Sequence, residues 1–172
     1  GSDVIYLVTG DITVPPLETL MIHAGARIEF LDDYEFDING NLYVTGEEGN
    51  EVVFTSGRPY KSHGDWKGID INGPGEVHIE CNDFFNDQDS CTGTYDFCWW
   101  DSYYQECFGS SSIDLENTSV IDHAIIEYAY NGVEYDRTYN NTHTILNSII
   151  QNNQLMGIYV DWAYDLTISD NI

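Results

Sequence analysis

Residues 18–30 read ETLMIHAGARIEF, residues 35–57 read EFDINGNLYVTGEEGNEVVFTSG, and residues 64–73 read GDWKGIDING. Apolar side chains alternate with polar ones in short runs: Leu20 and Ile22, Ile28 and Phe30, Phe36 and Ile38, Leu42 and Val44, Val52 and Phe54, Ile69 and Ile71. A period of two belongs to strands that bury one face.

Each run is closed by Gly or Asn, at Gly25, Asn39-Gly40, Gly46, Gly49, Gly57 and Gly73. That punctuation calls for short strands turning at corners. A single short strand cannot bury a core, so each run must stack its inward residues on those of the run before it. This is the logic of a solenoid.

The order L-x-I-x-x-G-x-x-I-x-F (Leu20 to Phe30), I-x-G-x-L-x-x-x-G (Ile38 to Gly46), V-x-F-T-S (Val52 to Ser56) and G-D-W-x-G-I (Gly64 to Ile69) resembles the opening coils of right-handed parallel β-helix proteins of the pectin-lyase-like type. The resemblance implies an all-β solenoid with coils of three strands and three turns. It says little about activity, because that family holds lyases, hydrolases, adhesins and passive stalks.

Further along, HAIIEYAYNGVEY (123–135) aligns with NSIIQNNQLMGIYV (147–160), and Ile125, Ile149 and Ile172 recur at spacings of 24 and 23 residues. Asn140, Asn141, Asn147, Asn152 and Asn153 crowd the expected corners, where Asn tolerates left-handed backbone and bonds its own chain. Gly1-Ser2 reads as a cloning remnant. Residues 3–80 read as an N-terminal cap and first coils, including a strand through GPGEVHIE with Val77 and Ile79 inward. Residues 81–108 read as an insertion at a coil corner, and 109–172 as further coils. The chain stops within a coil, which implies a fragment whose open last coil offers a surface for self-association.

Thirty acidic residues oppose five bases, Arg27, Arg58, Lys61, Lys67 and Arg137, for a net charge of −25. Phosphate is held by Lys and Arg, so this balance argues against nucleic acid and anionic membrane surfaces as partners, and disfavours tight binding of polyuronic acids. No apolar run approaches the roughly 20 residues of a membrane span. The acidic surplus fits a solubilising surface suited to a secreted or high-salt setting, or capture of a divalent cation at local Asp clusters.

All four cysteines fall in residues 81–107, CNDFFNDQDSCTGTYDFCWWDSYYQEC. No C-x2-C pair is present, so zinc is disfavoured and two disulfides in an oxidising compartment are expected. Of three pairings, Cys81 with Cys107 and Cys91 with Cys98 would close the insertion at its base and brace its tip.

The insertion is also rich in rings. They serve either as a satellite core or as flat faces for sugars, with neighbouring carboxylates accepting hydroxyl hydrogen bonds. Trp99, Trp100, Tyr103 and Tyr104, flanked by polar residues, are the candidate ligand-binding set. Asp83, Asp87 and Asp89 are closely spaced oxygen donors, either solvated or able to share a calcium ion, although the EF-hand glycine and closing glutamate are missing.

Catalysis finds no motif. The N-T-D, G-H-G and R-I-K signatures of family polygalacturonases are absent, and the basic residues that family lyases need are scarce. Asp32-Asp33 falls at a corner. Glu127, Asp136 and Asp161 could be brought together only by stacking between coils. The five histidines read as surface or corner residues, Trp66 as structural, and Asn117 and Asn140 as sites matching the N-glycosylation pattern. The expected function is non-catalytic carbohydrate recognition, with possible calcium; the alternatives are part of a polysaccharide hydrolase or lyase, or a passive self-assembling scaffold.

Overall fold

The computed structural model describes residues 4–73, 76–81, 88, 91, 98–114, 117–138 and 142–172. The chain is all-β. Its strands are β1 (Val4–Val8), β2 (Ile12–Val14), β3 (Thr19–His23), β4 (Ala26–Phe30), β5 (Glu35–Ile38), β6 (Asn41–Thr45), β7 (Val52–Ser56), β8 (Gly68–Asn72), β9 (Glu76–Glu80), β10 (Trp99–Asp101), β11 (Glu106–Phe108), β12 (Ser110–Asp114), β13 (Thr118–Asp122), β14 (Ala124–Glu127), β15 (Val133–Asp136), β16 (Thr142–Leu146), β17 (Ile149–Gln151), β18 (Ile158–Asp161) and β19 (Leu166–Ser169). They divide into two compact units, Gly1–Pro74 with Glu116–Ile172, and Gly75–Leu115.

The larger unit holds three five-stranded sheets, in the orders β1-β4-β7-β14-β17, β2-β5-β8-β15-β18 and β3-β6-β13-β16-β19. Every pairing within them is parallel. The chain visits the sheets in turn and lays each strand beside one from the previous round.

Register keeps like residues in line. Tyr6, Ile28, Phe54, Ile126 and Ile150 form one row. Ile12, Phe36, Ile69, Val133 and Ile158 form another. Residues from all three sheets share one core cluster, in which Phe30, Phe36, Ile38, Leu42, Phe54, Ile121 and Ile145 are essentially inaccessible. Each such side chain contributes about 1.5–3 kcal/mol by leaving water. Trp66 belongs to this core: it is fully buried, stacks on Phe30 at 4.0 Å and donates its indole N–H to the Glu127 carbonyl at 3.0 Å.

Corners use left-handed residues in corresponding places. His123, Asn147 and Asp170 have φ of 49°, 48° and 56°, each following a strand of the third sheet. Side-chain amides complete the hydrogen bonding there: Asn153 Oδ1 accepts the Ala129 N–H at 2.9 Å, and Asn171 Oδ1 accepts that of Ser148 at 2.9 Å. Gly68 is required where it stands. It has φ of 120°, and a Cβ would lie 1.9 Å from the Asn131 carbonyl oxygen. Asn140 and Asn141 lie outside the described residues.

Two expectations change. The strand at Glu76–Glu80 forms, but it pairs antiparallel with β12, so the parallel pattern is left after β8 and resumed at β13. His143 is not at a surface or corner; it is fully buried, because it sits in the inward row of Leu42, Ser119 and Leu166.

The smaller unit contains the β9–β12 pair, the antiparallel β10–β11 hairpin and two disulfides. Bridges of this kind form in an oxidising environment. The expected pairing is corrected: Cys81 bonds Cys98 and Cys91 bonds Cys107. The reason lies in hairpin register. Trp99 faces Phe108, so Cys98 comes level with Gly109, and the Cys81 N–H donates to the Gly109 carbonyl at 3.0 Å. Cys81 is thereby delivered to Cys98. All four cysteines are buried and form one apolar cluster among the described residues, with Trp100 packed against them. Loops of this size make each bridge worth about 3 kcal/mol.

Candidate functional site

The β10–β11 hairpin sorts its side chains by the two-residue period of a ribbon. Trp99 pairs with Phe108 and Asp101 with Glu106, which puts these four on one face; Trp100 pairs with Cys107 on the other. Trp100 therefore packs on the disulfides, whereas Trp99 is 54% exposed. The four candidate rings are thus divided.

The turn adds the remaining rings. Asp101 Oδ1 accepts the backbone N–H groups of Tyr103 and Tyr104 at 2.8 and 3.2 Å, and Gln105 closes the turn in a left-handed conformation (φ 59°). Gln105 N–H donates to the Asp101 carbonyl at 2.9 Å. Held this way, Tyr103 and Tyr104 are 85% and 64% exposed.

The result is a line of rings. Trp99 stacks on Phe108 at 5.2 Å, Phe108 meets the edge of Tyr104 at 6.4 Å, and Tyr104 meets Tyr103 edge-on at 5.0 Å. Asp101 and Glu106 supply carboxylates on the Trp99 face. Neither acid stands out in the sequence, although strand alternation from Trp99 selects Asp101 directly.

The calcium candidates Asp83, Asp87 and Asp89 lie outside the described residues. Among the described residues, the one group close enough to ligate a metal is Cys81, Cys98 and Cys107, whose sulfurs are committed to disulfides.

A second polar region lies in the larger unit. Asp37, Asp70 and Glu134 occupy one register position on β5, β8 and β15. Asp37 accepts from two amides, Asn39 at 2.9 Å and Asn72 at 2.6 Å, and Glu134 accepts from Asn131 at 3.0 Å. Asp70 Oδ1 is buried without a hydrogen-bond partner. Burial first, and then the charges of Glu134, Asp37, Glu35 and Asp136, push the Asp70 carboxyl up to about 6. It borders a cleft of about 120 Å³ that Lys67, Tyr130 and Glu134 also line.

Of the other carboxylates considered, Asp136 and Asp161 face each other across β15 and β18. Glu127 is engaged elsewhere, accepting from Thr55 at 3.0 Å and Gln151 at 3.1 Å with Lys61 at 3.8 Å. Asp32 is paired with Arg58, which also bonds Asp65 at 3.1 Å. Asn117 is buried and its amide donates to the Asn72 carbonyl at 2.8 Å, so the folded chain closes that glycosylation position. No helix among the described residues is long and apolar enough to cross a membrane.

Comparison of the chain with protein-family models, with curated proteins and with solved structures finds no match.

Proposed function

We propose that the chain is part of a secreted or cell-surface right-handed parallel β-helix, and that its β10–β11 hairpin recognises carbohydrate without catalysis. The β-helix reading rests on the three-sheet rotation of the strands and the in-register rows. The observation that carries the function is the line of exposed Trp99, Tyr104 and Tyr103, joined through half-buried Phe108, on the hairpin that also carries the carboxylates of Asp101 and Glu106. Flat apolar faces cover the C–H faces of sugar rings, and carboxylates accept their hydroxyl hydrogen bonds. Two disulfides fix this surface before any ligand arrives, which lowers the ordering cost of binding.

The test is a glycan array followed by titration under Trp fluorescence. Wild type is expected to bind with a fluorescence change, and Trp99→Ala with Tyr104→Ala to abolish binding. Unchanged binding in that double variant overturns the assignment. Trp100 is left intact because it packs on the disulfides. Calcium as a cofactor is tested by repeating the titration in chelator.

A second reading, a polysaccharide hydrolase, is favoured by one observation: Asp70, a carboxylic acid shifted to about 6 between two carboxylates, has the character of a general acid. Glycan cleavage that Asp70→Asn abolishes would support it, and cleavage that survives the substitution would remove it.

A further inference from the structure

The charge of residues 75–115, read from the sequence, goes further than glycan recognition in general. Residues 75–115 contain nine acidic residues and neither Lys nor Arg; all five bases of the chain lie elsewhere. Within the hairpin, Asp101 and Glu106 are directly opposite each other on the two strands. Like charges in that relation repel and weaken the ribbon. Glu106 is exposed, and Asp101 Oδ1 accepts the Tyr103 and Tyr104 N–H groups, which shapes the turn. A cation seated beside the pair would relieve the repulsion.

The rings point to the same ligand chemistry. An ammonium group over the face of Trp or Tyr is attracted by the ring quadrupole. Trp99, Tyr103 and Tyr104 all expose more than half of their surface within one line, with centroid steps of 5.2, 6.4 and 5.0 Å through Phe108. Successive rings stand at 24°, 70° and 88° to one another, so an extended chain of ring-shaped units laid along the row meets aromatic faces and edges in turn.

Resting on the glycan-binding reading, the geometry and charge point to an amine-bearing oligosaccharide, a polymer of glucosamine-type units with protonated amino groups, as the ligand of the Trp99–Phe108 face. Its sugar faces lie on the rings and its ammonium groups approach Asp101 and Glu106. Uronic acid polymers are repelled, and neutral sugars keep the stacking but lose the charge term.

The experiment is calorimetric titration at mildly acidic pH with four probes: a glucosamine hexamer, its fully N-acetylated counterpart, a galacturonate hexamer and a Lys-rich peptide of the same charge as the first. The glucosamine hexamer is expected to bind tightest, and to weaken as salt is raised. Glu106→Gln is expected to weaken it about threefold, the worth of an exposed ion pair, and to weaken the N-acetylated hexamer by a smaller factor, because only the charge is removed and an acceptor oxygen stays. If the N-acetylated hexamer binds as well as the amine form, the glycan hairpin stands and the amine selectivity falls. If no hexamer binds, both fall. Tightest binding of the galacturonate hexamer overturns the proposal, and tightest binding of the Lys-rich peptide overturns it in favour of a basic protein ligand.

Discussion

Ser119 Oγ lies 2.7 Å from Nδ1 of His143, and both residues are buried inside the stack of parallel strands. His143 Nε2 has no hydrogen-bond partner, and the Tyr135 ring stands 5.2 Å away. Burial lowers this imidazole to about 4, so the folded chain keeps it neutral. An unfolded histidine takes up its proton near 6.5. Between those values the unfolded state binds more protons, so stability is complete above about pH 6.5 and is lost as pH falls towards 4. The loss reaches on the order of 3 kcal/mol. Urea midpoints measured across this range should fall with pH in the wild type, and His143→Leu should flatten the decline. An unaltered slope in the variant would place the acid sensitivity elsewhere.

Asp70 carries the opposite sign. Its folded carboxyl is raised to about 6 by burial and by neighbouring carboxylates. The unfolded value is near 3.9, so the folded state binds more protons between the two. Asp70 therefore destabilises the chain above pH 6, and that penalty is relieved as pH falls towards 4. Asp70→Asn removes the buried charge. The variant is expected to be more stable than wild type at neutral pH, with the difference shrinking on acidification. A loss of stability at neutral pH would show that Asp70 makes a compensating interaction.

His143 and the cysteines show where sequence reading succeeds and where it stops. The alternation through His143 and Ile145 already aims the histidine inward, as it aims Ile28 with Phe30 and Leu42 with Val44. The signal was present, and the polarity of the residue masked it. The alternation that marks Trp99 and Asp101 as sharing a face is equally local. Disulfide pairing is different in kind: it depends on Cys98 falling level with Gly109 across a hairpin, and on Cys81 bonding Gly109 from a separate segment. Asp70 is likewise invisible alone, because its character comes first from burial and then from Glu134 and Asp37 on strands far away in sequence.

Trp66 should be the costliest single truncation. Its ring is stacked on Phe30 with an interplanar angle of 6°, and its N–H is spent on the Glu127 carbonyl. Trp66→Ala leaves a large cavity and an unpaired carbonyl, for a loss of about 3–5 kcal/mol. Trp66→Phe keeps much of the stacking and should lose less. Chemical denaturation of the three proteins checks the order, and equal midpoints for Ala and wild type would contradict the packing.

The disulfides give the sharpest test of the smaller unit. Proteolysis without reduction, followed by mass spectrometry, should recover peptides joining Cys81 to Cys98 and Cys91 to Cys107; a peptide joining Cys81 to Cys107 would refute the hairpin register. Since the four cysteines form a buried cluster with Trp100 packed against it, replacing Cys91 and Cys107 by Ser removes about 3 kcal/mol from the smaller unit. The near-ultraviolet signal of Trp99 and Trp100 should collapse, and glycan binding with it. The far-ultraviolet β signal of the parallel sheets, whose strands contain no cysteine, should persist. Retention of glycan affinity after loss of that bridge would mean that the ring line forms without it, and that the hairpin alone fixes the surface.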